Sequence, residues 1–393
     1  MKGCDRFLLA LSRKVPDMVP VWELIIDEPV LSSVLNKVPS READEKLSRY
    51  CELVELLDMD AVTWGEDQLI KKEGGNLIDE WGIIWKLNIA GIPYPIKGPL
   101  ESINNLRNYS LPDPDAEHRL RSIEKLIDRF KGERAIVFLG HEVFEFSHYL
   151  VGGMDKLFRL YHFKPDQALE LAEMISEYKL RVMKRAIKMG VNAVVCGDDY
   201  ADDKGPFISP KLFDKFMLPY IKKAINLVHD LGKPFIKHTD GKLDFILERL
   251  IDAGIDALHP IEPAAGMNIA EVKRFYGNRI CVIGNIDCRK LLTEGSPEEV
   301  TEVVKETIAK VAPGGGYILS SSNSIHPGVK PENFITMLKA ARLYGRYPID
   351  EKLIREYSTR NFYQKLYPEV FLRSKSQKIK VINKNYLYFH FYS

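Results

Sequence analysis

The sequence predicts an α/β protein folded as a (β/α)8 TIM barrel. Short apolar runs, typical of buried parallel strands, recur along the 393 residues, and helical patterns lie between most of them. Several runs end abruptly in polar residues, as where Phe235–Lys237 is followed by His238, Thr239 and Asp240. Strands that alternate with helices pair in parallel, and eight such units close into a barrel with its site at the carboxyl ends of the strands.

Eight runs qualify as strands of the barrel. They are, in chain order, Val19–Glu23, Ala61–Trp64, Ala135–Gly140, Ala193–Gly197, Pro234–His238, Ala257–Pro260, Ile280–Asn285 and Tyr317–Ser320. The alternative is an open doubly wound sheet. That fold usually has a glycine-rich turn after its first strand, and no such turn follows Glu23, so the barrel is favoured.

The connections between the strands carry helix signals. Asp166–Lys188 has apolar residues at helical spacing, which predicts an amphipathic helix. Ser209-Pro210 predicts the start of a helix that runs to His229, and Ser296-Pro297 the start of one that ends near Val311, because Ser caps helices and Pro suits their first position. Two shorter helices are predicted, at Lys242–Asp252 and Ile269–Phe275.

Residues 1–350 are predicted to form one barrel domain, and residues 351–393 a C-terminal extension. An insertion at about 67–100 lies between the second and third strands. Gly and Pro flank its apolar residues, so it is predicted to be hairpin-like and to lie near the barrel mouth. The last residues, 375–393, are predicted to be an appended strand or a disordered end.

The composition indicates a soluble, reduced, cytoplasmic protein. Lys and Arg (56) nearly balance Asp and Glu (55), which gives no electrostatic reason to expect nucleic acid or an anionic membrane as partner. No apolar run approaches the roughly 18 residues of a membrane span, and the N-terminus has no signal-peptide pattern. The five cysteines are scattered and odd in number, so no disulfide framework is expected.

The polar residues at the strand ends are the candidate site, because all these ends share one rim of a barrel. The predicted catalytic residues are Asp198, Tyr200, His238, Asp240 and Glu262. The predicted substrate-binding residues are Trp22, Glu23, His141, His259, Asn285, Asp287 and His326. Alternation along a strand points Asp198 and Asp199 to opposite faces, and Asp198 is favoured as the inward one. The alternative for Asp240 is a helix cap, and for Glu262 a loop carboxylate that binds backbone N–H groups.

Several ordered segments carry a family resemblance over roughly residues 5 to 345. They include Pro20-Val21-Trp22, Asp79-Glu80-Trp81-Gly82, Phe207-Ile208-Ser209-Pro210, Gly284-Asn285-Ile286-Asp287 and Pro327-Gly328. In their order and spacing the chain resembles the uroporphyrinogen decarboxylase superfamily, and its corrinoid-linked methyltransferase branch more than the decarboxylases themselves.

The resemblance implies two different sites, one for each branch. The decarboxylases carry an Arg-Gln-Ala-Gly-Arg motif for substrate carboxylates after the first strand, where this chain reads Glu-Leu-Ile-Ile-Asp-Glu at residues 23–28. Acidic residues there disfavour a poly-anionic substrate. The methyltransferases hold zinc with a His-x-Cys pair and a later Cys, and the matching residues are His238, Asp240 and Asn323. Oxygen donors in place of thiolates leave the identity of the divalent metal open, zinc or another.

The function implied is transfer of a methyl group between a small molecule and a cobamide on a partner corrinoid protein. One alternative is a decarboxylase or other lyase that acts on a porphyrinogen or a smaller carboxylate, with Lys237 or Arg289 as the cationic group. Another is a non-catalytic partner of a corrinoid protein. Cys288 is the one thiol predicted near the rim, and whether the chain forms a homodimer stays open.

Overall fold

The structure is a computed structural model that describes residues 1–40, 42–89, 91–100 and 103–370. The strands in these ranges form a seven-stranded parallel sheet, a four-stranded antiparallel sheet and a two-stranded ribbon. They are β1 (Ala61–Gly65), β2 (Lys71–Glu73), β3 (Asn76–Ile78), β4 (Ile84–Leu87), β5 (Pro93–Lys97), β6 (Ala135–Gly140), β7 (Ala193–Cys196), β8 (Ala201–Asp202), β9 (Gly205–Pro206), β10 (Phe235–His238), β11 (Ala257–His259), β12 (Cys281–Ile283) and β13 (Tyr317–Ile318).

Helices connect the strands of the parallel sheet. They are α1 (Gly3–Leu11), α2 (Glu28–Val34), α3 (Ala43–Leu56), α4 (Arg121–Phe130), α5 (Phe144–Val151), α6 (Met154–Phe163), α7 (Pro165–Met189), α8 (Pro210–Phe216), α9 (Leu218–Asp230), α10 (Asp244–Ala253), α11 (Ile269–Tyr276), α12 (Leu291–Glu294), α13 (Pro297–Val311), α14 (Pro331–Tyr344), α15 (Glu351–Tyr357) and α16 (Phe362–Leu366). Two 3-10 helices cover Ile103–Asn108 and Glu117–Leu120. None of the helices in the described part of the chain is long and apolar enough to cross a membrane.

The parallel sheet has the order β1-β6-β7-β10-β11-β12-β13, which is the sequential order of a curled, TIM-barrel-like sheet. Seven of the eight predicted barrel strands are therefore confirmed. The first, Val19–Glu23, forms no regular strand. It is extended, and it bridges the two ends of the sheet: Leu319 N–H donates to Pro20 O at 2.9 Å, and Asp60 N–H donates to Val21 O at 3.0 Å. Because Pro20 has no N–H, a continuous ladder cannot form there.

The predicted helices are present, with one difference. The helix predicted from Ser209 to His229 is two helices, α8 and α9, which meet at Met217. Pro219 explains the break, because it cannot donate the backbone hydrogen bond that would continue the first helix. The cap of α13 is as predicted, since Ser296 and Glu299 form a reciprocal capping box.

The core has two layers that follow from the alternation of strand side chains. Inside the curled sheet lie residues such as Trp22, Val137, Val195 and Ile236, all fully buried. The opposite faces of the strands pack against the helices in a larger cluster. This packing places the carboxyl ends of β7, β10 and β11 side by side, with His238 in register with His259.

The insertion between β1 and β6 is larger than the single hairpin that the sequence predicts. It is an antiparallel sheet of four strands in the order β2-β3-β4-β5. Asp79 accepts hydrogen bonds from Ile83 N–H at 2.9 Å and from Trp85 Nε1–H at 2.8 Å, and the Trp85 ring packs edge-on against Tyr149 at 5.3 Å. The two hydrogen bonds hold the insertion together, and the contact between Trp85 and Tyr149 attaches it to helix α5.

The C-terminal extension packs on the barrel as far as residue 370. The Tyr363 hydroxyl donates to Asn285 O at 2.8 Å, and the Tyr367 hydroxyl donates to Asp287 Oδ1 at 2.8 Å. The predicted strand or disordered end at 375–393 lies outside the described residues.

Candidate active site

A polar cleft opens at the carboxyl ends of β7, β10 and β11, with a cavity volume of about 460 Å³. Its walls are acidic and aromatic. The acidic residues are Glu145, Asp199, Asp202, Asp203, Asp240 and Glu262, and the aromatic ones are His148, Tyr149 and Phe207. Arg289 and Lys204 are the cations in the described wall. A cleft of this charge favours a cation or a metal-bound ligand over a poly-anion.

Three side chains converge on one point of this cleft. His238 Nε2 lies 3.7 Å from Asp199 Oδ1 and 3.7 Å from Asp240 Oδ1, too far for a hydrogen bond to either. One potential ligand atom from each of the three residues lies within 4.8 Å of the other two. Asp240 Oδ1 is buried and has no hydrogen-bond partner among the described residues. We call Asp199, His238 and Asp240 the cleft triad.

Burial shifts the pKa values of all three residues of the cleft triad. Burial, together with Glu145, raises the pKa of Asp199 to about 7. Burial, together with Asp199 and Glu262, raises the pKa of Asp240 well above its usual value. Burial, together with His259 and Lys237, holds the pKa of His238 well below its usual range. A neutral imidazole and two clustered carboxyl groups suit a divalent cation, which would favour ionisation of both acids.

The backbone and Asn323 fix the two acids of the cleft triad. Asp199 Oδ1 accepts the Asp240 N–H at 2.9 Å, so the loops after β7 and β10 are joined at the site. The Asn323 side-chain amide donates to Asp240 Oδ2, which leaves Oδ1 directed towards His238.

Glu262 and Arg289 form the opposite wall. Arg289 Nη2 lies 2.6 Å from Glu262 Oε1, and Glu262 Oε2 accepts the Gly241 N–H at 2.9 Å. Gly241 has φ +84°, and a Cβ at this position would lie 2.7 Å from the backbone of Ala201 and Asp202. A glycine is therefore required where the loop after β10 crosses the ribbon β8–β9.

A second polar cluster lies beside the cleft triad. His141 Nδ1 lies 3.3 Å from Asp198 Oδ1 and 3.2 Å from Glu145 Oε2. Burial lowers the pKa of His141, but the hydrogen bonds to Asp198 and Glu145 outweigh it and raise the value to about 9. This cluster is an imidazolium between two carboxylates with a net charge of −1, and it is a second group of described side chains that could hold a metal ion.

A buried ion pair lies beneath the clusters. Lys237 Nζ is 2.7 Å from Glu142 Oε2, and both side chains are 0% exposed. The Lys237 ammonium also lies 4.5 Å from the centre of the Tyr200 ring. Lys237 is thus neutralised inside the barrel.

The family follows from comparison with known proteins. The sequence profile of uroporphyrinogen decarboxylase (URO-D) matches residues 77–344, more than half of the chain. The chain belongs to the uroporphyrinogen decarboxylase family. Among curated relatives, the uroporphyrinogen decarboxylase of Geobacter metallireducens is 25% identical over 359 residues, 85% of this chain and 97% of that protein. That of Actinobacillus succinogenes is 23% identical over 370 residues, 87% of this chain and 97% of that protein.

A solved structure supports the same fold. A methyltransferase from Methanosarcina mazei superposes with a TM-score of 0.72 and 19% identity, over 88% of this chain and 99% of that chain. The likeness shows that this member of the uroporphyrinogen decarboxylase family shares the barrel of that protein.

Three predicted catalytic residues of this uroporphyrinogen decarboxylase family member lie together at the cleft. They are Asp240 and Glu262, which line the cleft, and His238, which is buried behind it with Nε2 3.7 Å from Asp240 Oδ1. The sequence favours Asp198 of the two adjacent aspartates; in the structure Asp199 lines the cleft, while Asp198 accepts the Phe144 N–H at 2.7 Å and contacts His141. The two side chains do point apart, as alternation requires. Asn323, predicted as a metal ligand, instead directs its N–H₂ to Asp240.

Six other predicted site residues are buried; in four of them the polar side-chain atoms are hydrogen-bonded, whereas Tyr200 Oη and Asn285 Oδ1 have no hydrogen-bond partner among the described residues. Trp22 donates Nε1–H to Thr63 at 2.6 Å, Asn285 donates to Ile261 O at 2.8 Å, and Asp287 Oδ2 accepts the Leu291 N–H at 2.8 Å. Tyr200 is 2% exposed and lies under the rim. Glu23 and His259 are both 0% exposed and hydrogen-bonded within the barrel. These six are buried, and none of them lines the cleft: Trp22, Glu23, Tyr200, His259, Asn285 and Asp287.

The remaining predicted residues, His141 and His326, are partly exposed but engaged. His326 Nε2 lies 2.9 Å from Cys288 O, in a turn that Gly328 completes. Cys288 is buried, burial raises the pKa of its thiol to about 12, and its Sγ accepts the Ser322 hydroxyl at 3.4 Å. Sequence reasoning missed Glu145, which lies one helical turn after His141; that i, i+4 spacing was the available signal.

Proposed function

We propose that the chain is a metal-dependent methyltransferase that moves a methyl group between a small molecule and a cobamide carried by a partner protein. The observation that supports it is the cleft triad. A neutral histidine nitrogen and two carboxylates face one point at the barrel rim, and one buried carboxylate oxygen there is without a partner.

The residues present suit a divalent metal. Asp199, His238 and Asp240 would hold it, and a bound metal would supply a Lewis acid that lowers the pKa of a coordinated thiol or water. One nitrogen and two oxygen donors are harder than the thiolate set that the family resemblance implies, so Co²⁺, Mn²⁺ and Fe²⁺ compete with Zn²⁺.

The other residues of the cleft would bind and orient the acceptor. Arg289 forms ion pairs with Glu262 at 2.6 Å and with Asp203 at 2.8 Å. Because its charge is already paired with two carboxylates of the protein, Arg289 is not free to neutralise several carboxylates of a substrate. Tyr149 and Phe207 give the opposite wall an apolar surface. A small acceptor with an apolar body fits this arrangement.

Decarboxylation of uroporphyrinogen is the second candidate, because the curated relatives bear that name over nearly their full length. The neighbourhood of residues 23–28 opposes it. Glu23 is buried, while Asp27 and Glu28 line a separate pocket of about 350 Å³ beside Trp64, in which Lys46 is the cation among the described lining residues. Acidic side chains beside a poly-anionic tetrapyrrole disfavour its binding.

One experiment separates these functions. The purified chain, loaded with Zn²⁺ or Co²⁺, is incubated with methylcobalamin and a panel of small thiols. Transfer breaks the cobalt–carbon bond, forms a sulfur–carbon bond and releases the thiol proton; the corrinoid leaves with both electrons of the broken bond. Loss of the methylcobalamin spectrum with formation of a thioether supports the proposal.

A parallel reaction with uroporphyrinogen, followed by loss of carboxyl groups in mass spectra, tests the second candidate. Asp199→Asn should abolish methyl transfer, whereas Asp214→Asn, on the outer surface, should leave it unchanged. Decarboxylation that survives Asp199→Asn, without methyl transfer by the wild type, would overturn the proposal.

A further inference from the structure

A chain of hydrogen bonds runs from the cleft triad into the barrel interior. His238 Nδ1 lies 2.7 Å from His259 Nδ1, and His259 Nε2 lies 3.2 Å from Ser320 Oγ. Ser320 Oγ lies 3.3 Å from Glu23 Oε2. The four side chains come from four separate segments of the chain, so the tertiary fold has assembled them.

The inner end of this chain is sealed. Glu23, His259 and Ser320 are 0% exposed, and His238 is 5% exposed. Trp22 packs edge-on against the His259 ring at 5.3 Å. Bulk solvent therefore does not reach these inner groups, and the pairing among them decides where each proton of the chain lies.

Glu23 is surrounded by donors. Its Oε1 accepts the Ser321 N–H at 2.9 Å, and its Oε2 accepts the Ser321 hydroxyl at 2.6 Å as well as the Ser320 hydroxyl. A carboxylate is a pure acceptor, so an ionised Glu23 makes Ser320 donate to it. Ser320 must then accept from His259 Nε2–H, and the free His259 Nδ1 must accept from His238 Nδ1–H.

We propose that Glu23, Ser320 and His259 are positioning residues that, with Glu23 ionised, set the direction of this chain and so hold His238 in the tautomer with its lone pair on Nε2. That nitrogen is the one directed at Asp199 and Asp240. A histidine that ligates a metal commonly donates its other N–H to a carboxylate or carbonyl. Here two intervening side chains connect the histidine to its carboxylate. The inference rests on the proposed metal site, whose ligand it prepares.

The Glu23→Gln substitution replaces an acceptor at the inner end of the chain by a donor. The glutamine carbonyl must occupy the Oε1 position, because a backbone N–H donates there. Its N–H₂ then occupies the Oε2 position and donates to Ser320. Ser320 then no longer spends its own proton on residue 23 and is free to donate it to His259 Nε2. In that arrangement His259 Nδ1–H donates to His238 Nδ1, and His238 carries its proton on Nε2. The substitution keeps shape and volume and removes the constraint that sets the wild-type direction of the chain.

Nitrogen NMR of the histidine rings tests this in the metal-free full-length protein. The measurement is made at pH 9, because burial raises the pKa of Glu23 to about 8 and the carboxylate must be ionised. The His238 signals are assigned by their loss in His238→Gln. Wild type should show Nδ1–H, and Glu23→Gln should show Nε2–H. Ser321→Ala, which leaves Ser320 and Glu23 in place, should match the wild type.

Metal affinity gives a second readout in the same proteins. Competition with a chelator should show Zn²⁺ affinity lowered by roughly 10- to 100-fold in Glu23→Gln, the range typical of lost outer-shell partners. Ser320→Ala, which only disconnects the chain, should lose less affinity and give a mixture of the two His238 tautomers. If Glu23 and Ser320 have a merely structural role, Ser320→Ala should lose more Zn²⁺ affinity than Glu23→Gln, since Gln is nearly isosteric with Glu.

The outcomes separate the two proposals. Wild-type His238 with Nε2–H, or a single unchanged tautomer in both Glu23→Gln and Ser320→Ala, overturns the inference even where metal binds. If wild-type His238 shows the Nδ1–H tautomer but the protein binds no divalent metal, the proposed metal site is wrong and the inferred direction of the hydrogen-bonded chain stands. If Glu23→Gln does not fold, the Ser320→Ala variant alone tests the inference. In that case a Ser320→Ala protein whose His238 keeps only the wild-type tautomer refutes the positioning role of Ser320, His259 and Glu23.

Discussion

Replacing Lys237 by Met should destabilise the protein strongly, and increasingly so as the pH rises. Lys237 and Glu142 form a fully buried ion pair at 2.7 Å, and Glu142 Oε1 has no other partner among the described residues. Removing the ammonium leaves an uncompensated carboxylate in the barrel, a change that typically costs ~3–5 kcal/mol in unfolding free energy.

The pH dependence follows from where the proton goes. In Lys237→Met, burial without a partner raises the folded-state pKa of Glu142, so the folded protein keeps a proton that the unfolded chain loses above about pH 4.3. The unfolded state then binds fewer protons, and stability falls as the pH rises, by up to ~1.4 kcal/mol per pH unit. Because burial already raises the pKa of Glu142 to about 7 in the wild type, the loss relative to the wild type should be smallest at pH 5 and should grow by up to ~1.4 kcal/mol between pH 7 and pH 8.

Urea unfolding at pH 5 and at pH 8, followed by circular dichroism and by tryptophan fluorescence, measures this loss. The matched control is Lys223→Met, because Lys223 pairs with Glu173 on the surface at 44% and 45% exposure and should lose no more than ~1 kcal/mol. Lys237→Met with Glu142→Gln removes both charges and should recover stability at pH 8. A Lys237→Met loss below ~1 kcal/mol at both pH values would refute the reasoning, because it would mean that water reaches Glu142.

Three other outcomes are expected. Gly241→Ala should lower the melting temperature more than Gly232→Ala, since both have positive φ but only the Cβ at 241 meets backbone atoms at 2.7 Å; equal shifts would contradict the close packing at the ribbon. In the native protein a thiol reagent should react with the five cysteines only slowly, because all five are buried, and it should react with all five in denaturant; fast native labelling at Cys288 would contradict its burial. Asp199→Asn should weaken Zn²⁺ binding far more than Asp198→Asn, because Asp199 belongs to the cleft triad. Chelator competition measures both affinities, and a larger loss in Asp198→Asn would indicate that Asp198 is the metal ligand.

The sequence was sufficient for the barrel because each strand is an apolar run closed by polar residues, and each crossover carries its own cap or periodicity. Ser296 with Glu299 is an example, since the capping box is local in sequence. The first strand could not be predicted correctly from hydrophobicity, because its pairing depends on Pro20 and on a ladder between the two ends of the sheet.

The site was predictable in position but not in detail. The strand-end rule found His238, Asp240 and Glu262, since all three follow barrel strands. It could not separate Asp198 from Asp199, because both follow β7 and the facing side depends on where the strand ends. Nor could it separate a rim residue from a buried one: Glu23 and His259 also follow strand positions, yet tertiary packing encloses them.

Metal stoichiometry decides whether the cleft triad is a metal site. The protein is stripped with a chelator, dialysed against Zn²⁺ or Co²⁺ and analysed by inductively coupled plasma mass spectrometry, alongside Asp199→Asn combined with Asp240→Asn. We expect one tightly held metal per wild-type chain and close to none in the double variant. A wild-type protein that holds no metal, or a double variant that retains the full equivalent, would contradict the assignment.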